Sequence, residues 1–103
     1  MRLKEILILI KPSPLRNKKY RAFVKNTRGD IRHIDFGQRG YKQYKDSTKI
    51  GKFTIYNHGD AKRRRNYFMR FSGVPHKKIA IKNEIARSRG KYNAKILSHK
   101  YLW

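Results

Sequence analysis

The sequence predicts a small α+β domain in which an antiparallel hairpin or a three-stranded sheet is followed by two or three short helices. Three observations lead to this prediction. Short segments rich in β-branched and aromatic residues lie in the first half, helix start and stop signals lie in the second half, and 103 residues is a length typical of one domain. We therefore expect residues 1–103 to form a single basic domain.

The first predicted strand lies at residues 3–10, where five consecutive apolar residues precede Pro12. Because this run is rich in Ile and is bounded by proline, we expect a buried strand and then an extended connector up to residue 18. An alternative for residues 1–18 is that the strand pairs with a neighbouring subunit. The apolar run is too short for a signal-peptide core or a membrane span, so we expect neither.

Residues 19–25 and 31–36 are predicted to form a hairpin. The first segment alternates, with Tyr20 and every second residue after it on the face that we expect to be buried. The residues between the two segments have turn chemistry, and Gly29 can adopt a positive φ there. The same kind of alternation predicts a third strand at residues 52–56.

Three helices are predicted in the second half from residues that can accept hydrogen bonds from the free amides of a first helical turn. Glycine or proline follows the first two of them, as expected at helix ends. The predicted helices and their capping residues are 59–71 with Asp60, 83–89 with Asn83, and 94–103 with Asn93.

Positive charge dominates the composition, with 28 Lys and Arg against 6 Asp and Glu and a net charge of +22. The basic residues divide equally, 14 in residues 1–51 and 14 in residues 52–103, so the charge belongs to the whole predicted domain. A compact body with this charge repels itself unless a polyanion or an acidic surface lies against it. The absence of cysteine excludes disulfides, thiolate zinc sites and thiol nucleophiles.

The densest charge cluster is the run of four cations at residues 62–65, which a helix distributes around its axis. We predict that this cluster contacts phosphates, with a nuclear import signal and a solvated helix face as the alternatives. The predicted polyanion-binding residues are Arg63, Arg64, Arg65 and Arg70, supported by Lys18, Lys19, Arg21, Lys42 and Lys45.

Aromatic residues alternate with cations along the chain, a pattern that suits the stacking of unpaired bases beside phosphate contacts. The alternative is that the rings form the core of a domain with few aliphatic residues. Tyr41, Tyr44 and Tyr92 stay open between these two interpretations. We expect core positions or subunit contacts for Tyr20, Phe23, Phe36, Phe68, Phe71 and Trp103.

Catalytic patterns are weak in this sequence. The four histidines are scattered without paired metal-ligand spacing, and the six carboxylates are dispersed. Gly37 and Gly40 bracket a turn and lack the Gly-Lys-Ser/Thr that ends a P-loop. His58 with Asp60 is the best local cluster, and a helix start explains it. We expect a non-enzymatic protein without a metal or a cofactor.

A recurring arrangement is visible from residue 19 onward: Lys-Tyr, a strand, a Phe-Gly strand end, Gly-Tyr, a basic helix rich in Arg and Tyr, and a last helix ending in Leu-Trp. In these features the chain resembles a small uncharacterised family encoded by large nucleocytoplasmic DNA viruses of the mimivirus, chlorovirus and marseillevirus groups. The resemblance implies a virus-encoded protein and brings no catalytic residues. The residues on which it rests are Tyr20, Phe36, Gly37, Gly40, Tyr41, Tyr44, Arg63 to Arg65, Tyr67, Arg70, Leu102 and Trp103.

Together these observations lead us to expect a structural protein of a large DNA virus particle, as a minor capsid or genome-proximal component on the interior face of the shell or in the core. Its expected partners are other virion proteins and viral DNA, contacted through phosphates without sequence readout. During assembly it would lie in the host cytoplasm or nucleus. The alternatives are a chromatin-like protein that binds nucleic acid without sequence preference, and a ribosomal-type protein.

Overall fold

Three antiparallel strands form one sheet in the order β1-β2-β3. A computed structural model describes residues 2–103 and places the strands at Ile6–Pro12 (β1), Lys18–Lys25 (β2) and Ile31–Gln38 (β3). Each strand pairs with the next strand along the chain, as expected for antiparallel strands with short connections. The α+β class and the three-stranded form of the prediction are confirmed.

β1 is an edge strand, and the burial predicted for it is wrong. Its side chains Ile6, Ile8 and Leu9 are 68%, 44% and 46% exposed, whereas Leu7 and Ile10 pack against the core. The cause is position, because the helical layer packs against β3 at the opposite edge of the sheet. β1 pairs with β2 of its own chain, and pairing of its other edge with a neighbouring subunit stays a prediction.

The β2–β3 hairpin confirms the sequence prediction. Tyr20 lies opposite Phe36 and Val24 lies opposite Arg32, and alternate residues of β2 are fully buried. Gly29 has a φ of +89° in the connecting turn, a conformation that glycine adopts without a steric penalty. Strand alternation and turn chemistry were therefore sufficient to predict this part of the fold.

The third strand predicted at residues 52–56 is wrong, because Thr54–Tyr56 forms a single turn of 3-10 helix. The backbone of this segment bonds to side chains and to nearby loop backbone rather than to a strand of the sheet. The amide of Phe53 donates to the Asp46 carboxylate at 3.2 Å, and its carbonyl accepts from Gln43 at 2.7 Å. The Phe53 ring packs edge-on against Tyr20 with centroids 5.2 Å apart.

Two helices begin where the sequence predicted. Helix α1 spans Ala61–Ser72, and the Asp60 carboxylate accepts from two amides of its first turn at 2.9 and 3.2 Å. Helix α3 spans Ala94–Tyr101, and the Asn93 side chain accepts from the amide three residues later at 2.8 Å. These side chains satisfy amides that have no partner within the helix.

The helix between them, α2, spans Lys77–Arg87, so the prediction that Asn83 caps a helix is wrong. Asn83 lies in the middle of α2, and no side chain caps its first turn after His76. Burial of Ala80 and Glu84 on one face stabilises a helix that begins earlier than the capping signal indicated.

The helices form a layer in which α3 packs against β3, α2 packs against α3, and α1 packs against α2. Tyr20, Phe36 and Phe68 are buried as predicted, and Phe23 and Trp103 are half-buried. Among residues 2–103, no helix combines the length and the apolar character that crossing a membrane would require.

Candidate polyanion-binding cleft

A cleft of about 740 Å³ opens between the helices and one end of the sheet. One wall consists of α1 and α3, and the other consists of the start of β2, the end of β3 and the loop that follows β3. Cations line both walls. We call this feature the basic cleft and define it by five of its six cations, Lys18, Lys42, Arg63, Arg70 and Lys95, since the sixth, Lys19, is buried.

Helix periodicity determines which cations of α1 reach the cleft. Arg63 and Arg70 are seven positions apart, which places them on one face, and Tyr67 lies between them on that face. Arg64 and Arg65 instead line a shallow groove between α1 and the start of α2, which we call the second groove. The run of cations therefore divides between two surfaces.

The opposite wall is held in place by the buried side chain of Lys19. Its ammonium group donates to the carbonyl oxygen of Tyr41 at 2.7 Å and to the side-chain oxygen of Gln43. Burial lowers the pKa of Lys19 to about 8, because desolvation disfavours the charged form. These bonds anchor the loop residues on both sides of Lys42, which lines the cleft.

The floor of the cleft requires glycine at position 37. Gly37 has a φ of +79° within β3, and a Cβ atom there would lie 2.9 Å from Leu102 Cδ1 and 3.1 Å from Lys19 Cβ. A side chain at this position would therefore displace one of these neighbours. Because Gly37 has no side chain, the residues after α3, Leu102 and Trp103, can approach the sheet and line the cleft.

A chain of hydrogen bonds behind the helical wall fixes Tyr67. Its hydroxyl donates to His99 Nδ1 at 2.8 Å, His99 Nε2 donates to Ser72 Oγ at 2.7 Å, and Ser72 donates to Glu84 Oε2 at 2.9 Å. The direction of these hydrogen bonds follows from the Glu84 carboxylate, which can only accept hydrogen bonds. Burial lowers the pKa of His99 to about 4 and raises the pKa of Tyr67, so both stay neutral. The Trp103 ring stacks on Tyr67 with centroids 4.1 Å apart.

No carboxylate side chain of residues 2–103 lines the basic cleft. In this part of the chain, Lys18, Lys42, Arg63 and Arg70 form no ion pair, whereas Lys95 lies 3.7 Å from the Glu84 carboxylate. Four cations without a counter-charge create a positive potential in the cleft. Five carboxylates bond outside the cleft: Glu5 to Arg32, Asp30 to Asn26, Asp35 to Arg21, Asp46 to Tyr20, and Asp60 to the start of α1. The sixth, Glu84, bonds to Arg87 and lies near Lys95.

The structure corrects the assignment of two predicted polyanion-binding residues. Lys19 is 2% exposed, and its ammonium group is occupied inside the protein. Arg21 lies 3.0 Å from Asp35 on the sheet, and this guanidinium lowers the pKa of the Asp35 carboxyl group. Lys45 is exposed but lines neither the basic cleft nor the second groove. Sequence position did not indicate these differences, because long-range contacts cause them.

Three cleft residues were missed or left open by the sequence. Lys95 and Ser98 lie three positions apart on one face of α3, and both line the cleft. This helical spacing was a signal in the sequence that could have identified Lys95. Phe71 was expected in the core but is 44% exposed and lines the cleft, as does Tyr41, which is 66% exposed. Tyr92 is buried, and the Arg64 guanidinium lies 4.6 Å from the centroid of the Tyr44 ring.

Comparison with known protein families gives a match over more than half of the chain. The model of a family described as "Family of unknown function (DUF5754)" matches residues 8–71, from β1 into α1. This segment includes Lys18, Lys42, Arg63 and Arg70 of the basic cleft. No curated protein and no solved structure matches the chain. Within residues 2–103, no group of three or more acidic, His or Cys side chains is placed to hold a metal ion.

Proposed function

The chain belongs to the DUF5754 family of unknown function, and we propose that it is a non-enzymatic structural protein that binds nucleic acid through phosphate contacts. The observation that supports this proposal is the basic cleft, where four cations from two walls face one space without a carboxylate side chain. Cations that converge on one concave space create a positive potential that attracts an anion.

A long polyanion explains the charge better than a small anion does. The net charge is +22, and further cations line the second groove, including Arg64, Arg65, Lys77 and Lys78. A nucleic acid that passes through the cleft could extend over such neighbouring cations, and each phosphate neutralised would release condensed counterions. Contacts of this kind fix position on the backbone and give no sequence preference.

The proposed setting is the interior of a large DNA virus particle, as a minor capsid or genome-proximal component. The support for this setting is the resemblance to the virus-encoded family, together with the need of so basic a protein for a polyanion beside it. A packaged genome supplies phosphate at high density. The expected partners are therefore the viral nucleic acid and the virion proteins around it.

The salt dependence of binding tests the nucleic-acid proposal. On duplex DNA, the logarithm of the association constant should fall linearly with the logarithm of salt concentration, with a slope of roughly −0.9 per phosphate contacted. Contacts from the four unpaired cleft cations alone predict a slope of about −4. Because Trp103 is the single tryptophan and lines the cleft, its fluorescence should change on binding. Absence of nucleic-acid binding at low salt would contradict the proposal.

Two matched charge reversals on the helices locate the binding site. The double variant Arg63→Glu/Arg70→Glu changes two cleft residues, and Lys62→Glu/Lys82→Glu changes two exposed helical residues outside both the cleft and the second groove. Both lower the net charge equally. We expect the first variant to lose about tenfold more affinity than the second, because it places carboxylates where phosphates bind. Equal losses would mean that binding is diffuse over the surface.

The setting is tested on purified particles. If the protein lies beside the genome, it should sediment with the particle and be released by nuclease together with high salt. Retention on the shell after removal of the nucleic acid would indicate a capsid component that contacts anionic protein surfaces. Co-sedimentation with ribosomal subunits would favour the ribosomal-type alternative, and presence in infected cells without incorporation into particles would favour the chromatin-like alternative.

A further inference from the structure

Two exposed aromatic rings lie in the basic cleft among its cations. Tyr41 is 66% exposed and Phe71 is 44% exposed. In a small domain with few aliphatic residues, burial of such rings would stabilise the fold, so their exposure is informative. Of the aromatic pairs within residues 2–103, none includes Tyr41. Phe71 packs against Tyr67, with ring centroids 4.8 Å apart, and the Arg70 guanidinium lies 5.5 Å from the centroid of the Phe71 ring.

Both rings have anchored backbones. The Tyr41 carbonyl accepts from the buried Lys19 ammonium group at 2.7 Å, so the tyrosine projects from a fixed loop. Phe71 lies in α1, and its carbonyl accepts from Lys95 at 3.2 Å. A ring on a fixed backbone loses little freedom when a base stacks on it, which favours binding.

We infer that the basic cleft accepts an unpaired strand of nucleic acid, whose bases stack on Tyr41 and Phe71 while its phosphates contact Lys18, Lys42, Arg63 and Arg70. The inference rests on the proposed function and adds the form of nucleic acid that enters the cleft. An aromatic ring beside a cation is the arrangement by which proteins hold single strands without sequence preference.

The size of the cleft excludes a duplex from its interior. Its volume of about 740 Å³ is within the range of about 300–1,000 Å³ that is typical of small-ligand pockets. A few nucleotide-sized groups fit such a space, whereas a duplex reaches only the cations at its rim and keeps its bases stacked on one another. Duplex and single strand therefore share the phosphate contacts and differ in the stacking.

The test compares a dT oligonucleotide of about 12 residues with a duplex of the same length, a size suited to one binding site. Charge alone would favour the duplex, because its counterion release per phosphate is larger, about 0.9 against 0.7. We expect the single strand to bind about tenfold more tightly instead, and we expect its advantage to grow as salt weakens the phosphate contacts in both complexes.

Single substitutions assign the preference to the rings. Tyr41→Ala and Phe71→Ala should each lower the affinity for the single strand about tenfold and change the affinity for the duplex less than twofold. Tyr41→Phe keeps a ring and should retain the affinity for the single strand. Met69→Ala is the matched control, because Met69 is 47% exposed on α1 outside the cleft. Thermal unfolding of each variant measures whether the fold is intact. We expect the Tyr41 substitutions to change stability least, because this side chain is 66% exposed.

The outcomes separate this inference from the proposed function. If single strand and duplex bind equally, or if Tyr41→Ala binds the single strand like the unchanged protein, the inference is overturned and phosphate binding stands. If neither form binds at low salt, the proposed function fails first. A single-strand preference that is lost in both alanine variants, and kept in Tyr41→Phe and Met69→Ala, supports the inference.

Discussion

Two arginines of the sheet have counter-charges, whereas four of the five cations that define the basic cleft have none within residues 2–103. On the sheet, Arg21 lies 3.0 Å from Asp35 and Arg32 lies 2.7 Å from Glu5. These guanidinium groups lower the pKa of both carboxyl groups. In the cleft, four cations have no carboxylate partner within the described chain. The two regions therefore differ in how their charge is balanced rather than in its sign.

The difference shows where a very basic protein uses its few acidic residues. Three of the six carboxylates, those of Glu5, Asp46 and Asp60, accept hydrogen bonds from backbone amides. Glu5 accepts from the amide of Tyr92 at 2.7 Å, and Asp46 accepts from the amide of Phe53 at 3.2 Å. Carboxylates thus stabilise the fold in one region, and their absence from the other leaves positive charge for a ligand. Each prediction below tests this division.

Removal of a buried carboxylate beside the sheet should have the largest effect. Asp46→Ala leaves the Tyr20 hydroxyl and the amides of Thr48 and Phe53 without their acceptor. We expect the free energy of unfolding to fall by about 3 kcal/mol in urea denaturation, because buried donors are left unsatisfied. The matched control is Asp30→Ala in the exposed β2–β3 turn. A loss for Asp46→Ala no larger than that of the control would contradict the division.

Acidification should destabilise the neutral chain of hydrogen bonds behind the cleft. Because burial lowers the pKa of His99 from 6.5 to about 4, the unfolded chain binds a proton that the folded chain excludes. The resulting stability is present above about pH 6.5 and is lost as pH falls toward 4, by up to about 3 kcal/mol. Glu84 opposes this effect, and Lys77 and Lys95 reinforce it.

The measurement is the free energy of unfolding between pH 7 and pH 4.5, a range that lies above the lowered pKa values of Glu5 and Asp35. His99→Gln should be less stable at neutral pH and should show a flatter pH dependence than the unchanged protein. His58, whose pKa is also lowered by burial, is present in both proteins, so their difference isolates His99. An unchanged slope in the variant would refute the effect, and His33→Gln, at an exposed position, is the control.

Loss of an ion pair at the sheet should have an intermediate effect. Glu5→Gln removes the charge that Arg32 contacts and weakens the acceptor of the Tyr92 amide. We expect a loss of about 1–2 kcal/mol, moderated by water because the Arg32 side chain is 45% exposed. Thermal unfolding measures it, and Arg32→Lys should lose less. An unchanged unfolding temperature would show that the hydrogen bond from the Tyr92 amide to residue 5 does not depend on the charge of Glu5.

Loss of cations from the cleft should have the smallest effect on stability. Lys42→Ala and Arg63→Ala remove exposed side chains without ion-pair partners in residues 2–103, so the free energy of unfolding should change by less than about 0.5 kcal/mol. The sign should be slightly stabilising at low salt, because self-repulsion falls. A loss above about 1 kcal/mol would show that these cations stabilise the fold.

Local chemistry made much of the fold predictable. The alternation from Tyr20, the turn at Gly29 and the caps Asp60 and Asn93 act within a few residues of the chain, and the structure confirms each of them. The start of α2 could not be predicted in this way, because burial against the other helices, rather than a capping side chain, stabilises it. The strand predicted at residues 52–56 is wrong for another reason, since side chains from the preceding loop, those of Gln43 and Asp46, bond the backbone of Phe53.

The sequence by itself determined the class of fold, the large excess of positive charge and the division of the four-cation run around α1, because each follows from composition or from short-range periodicity. Only the tertiary structure decided which cations remain free. Lys19 is buried and anchors a loop, and Arg21 pairs with Asp35, whereas Lys42 and Arg63 line the cleft without an ion-pair partner in residues 2–103. The physical reason is that a counter-charge acts over a few ångströms in space, and residues as far apart as Glu5 and Tyr92 become neighbours only when the chain folds.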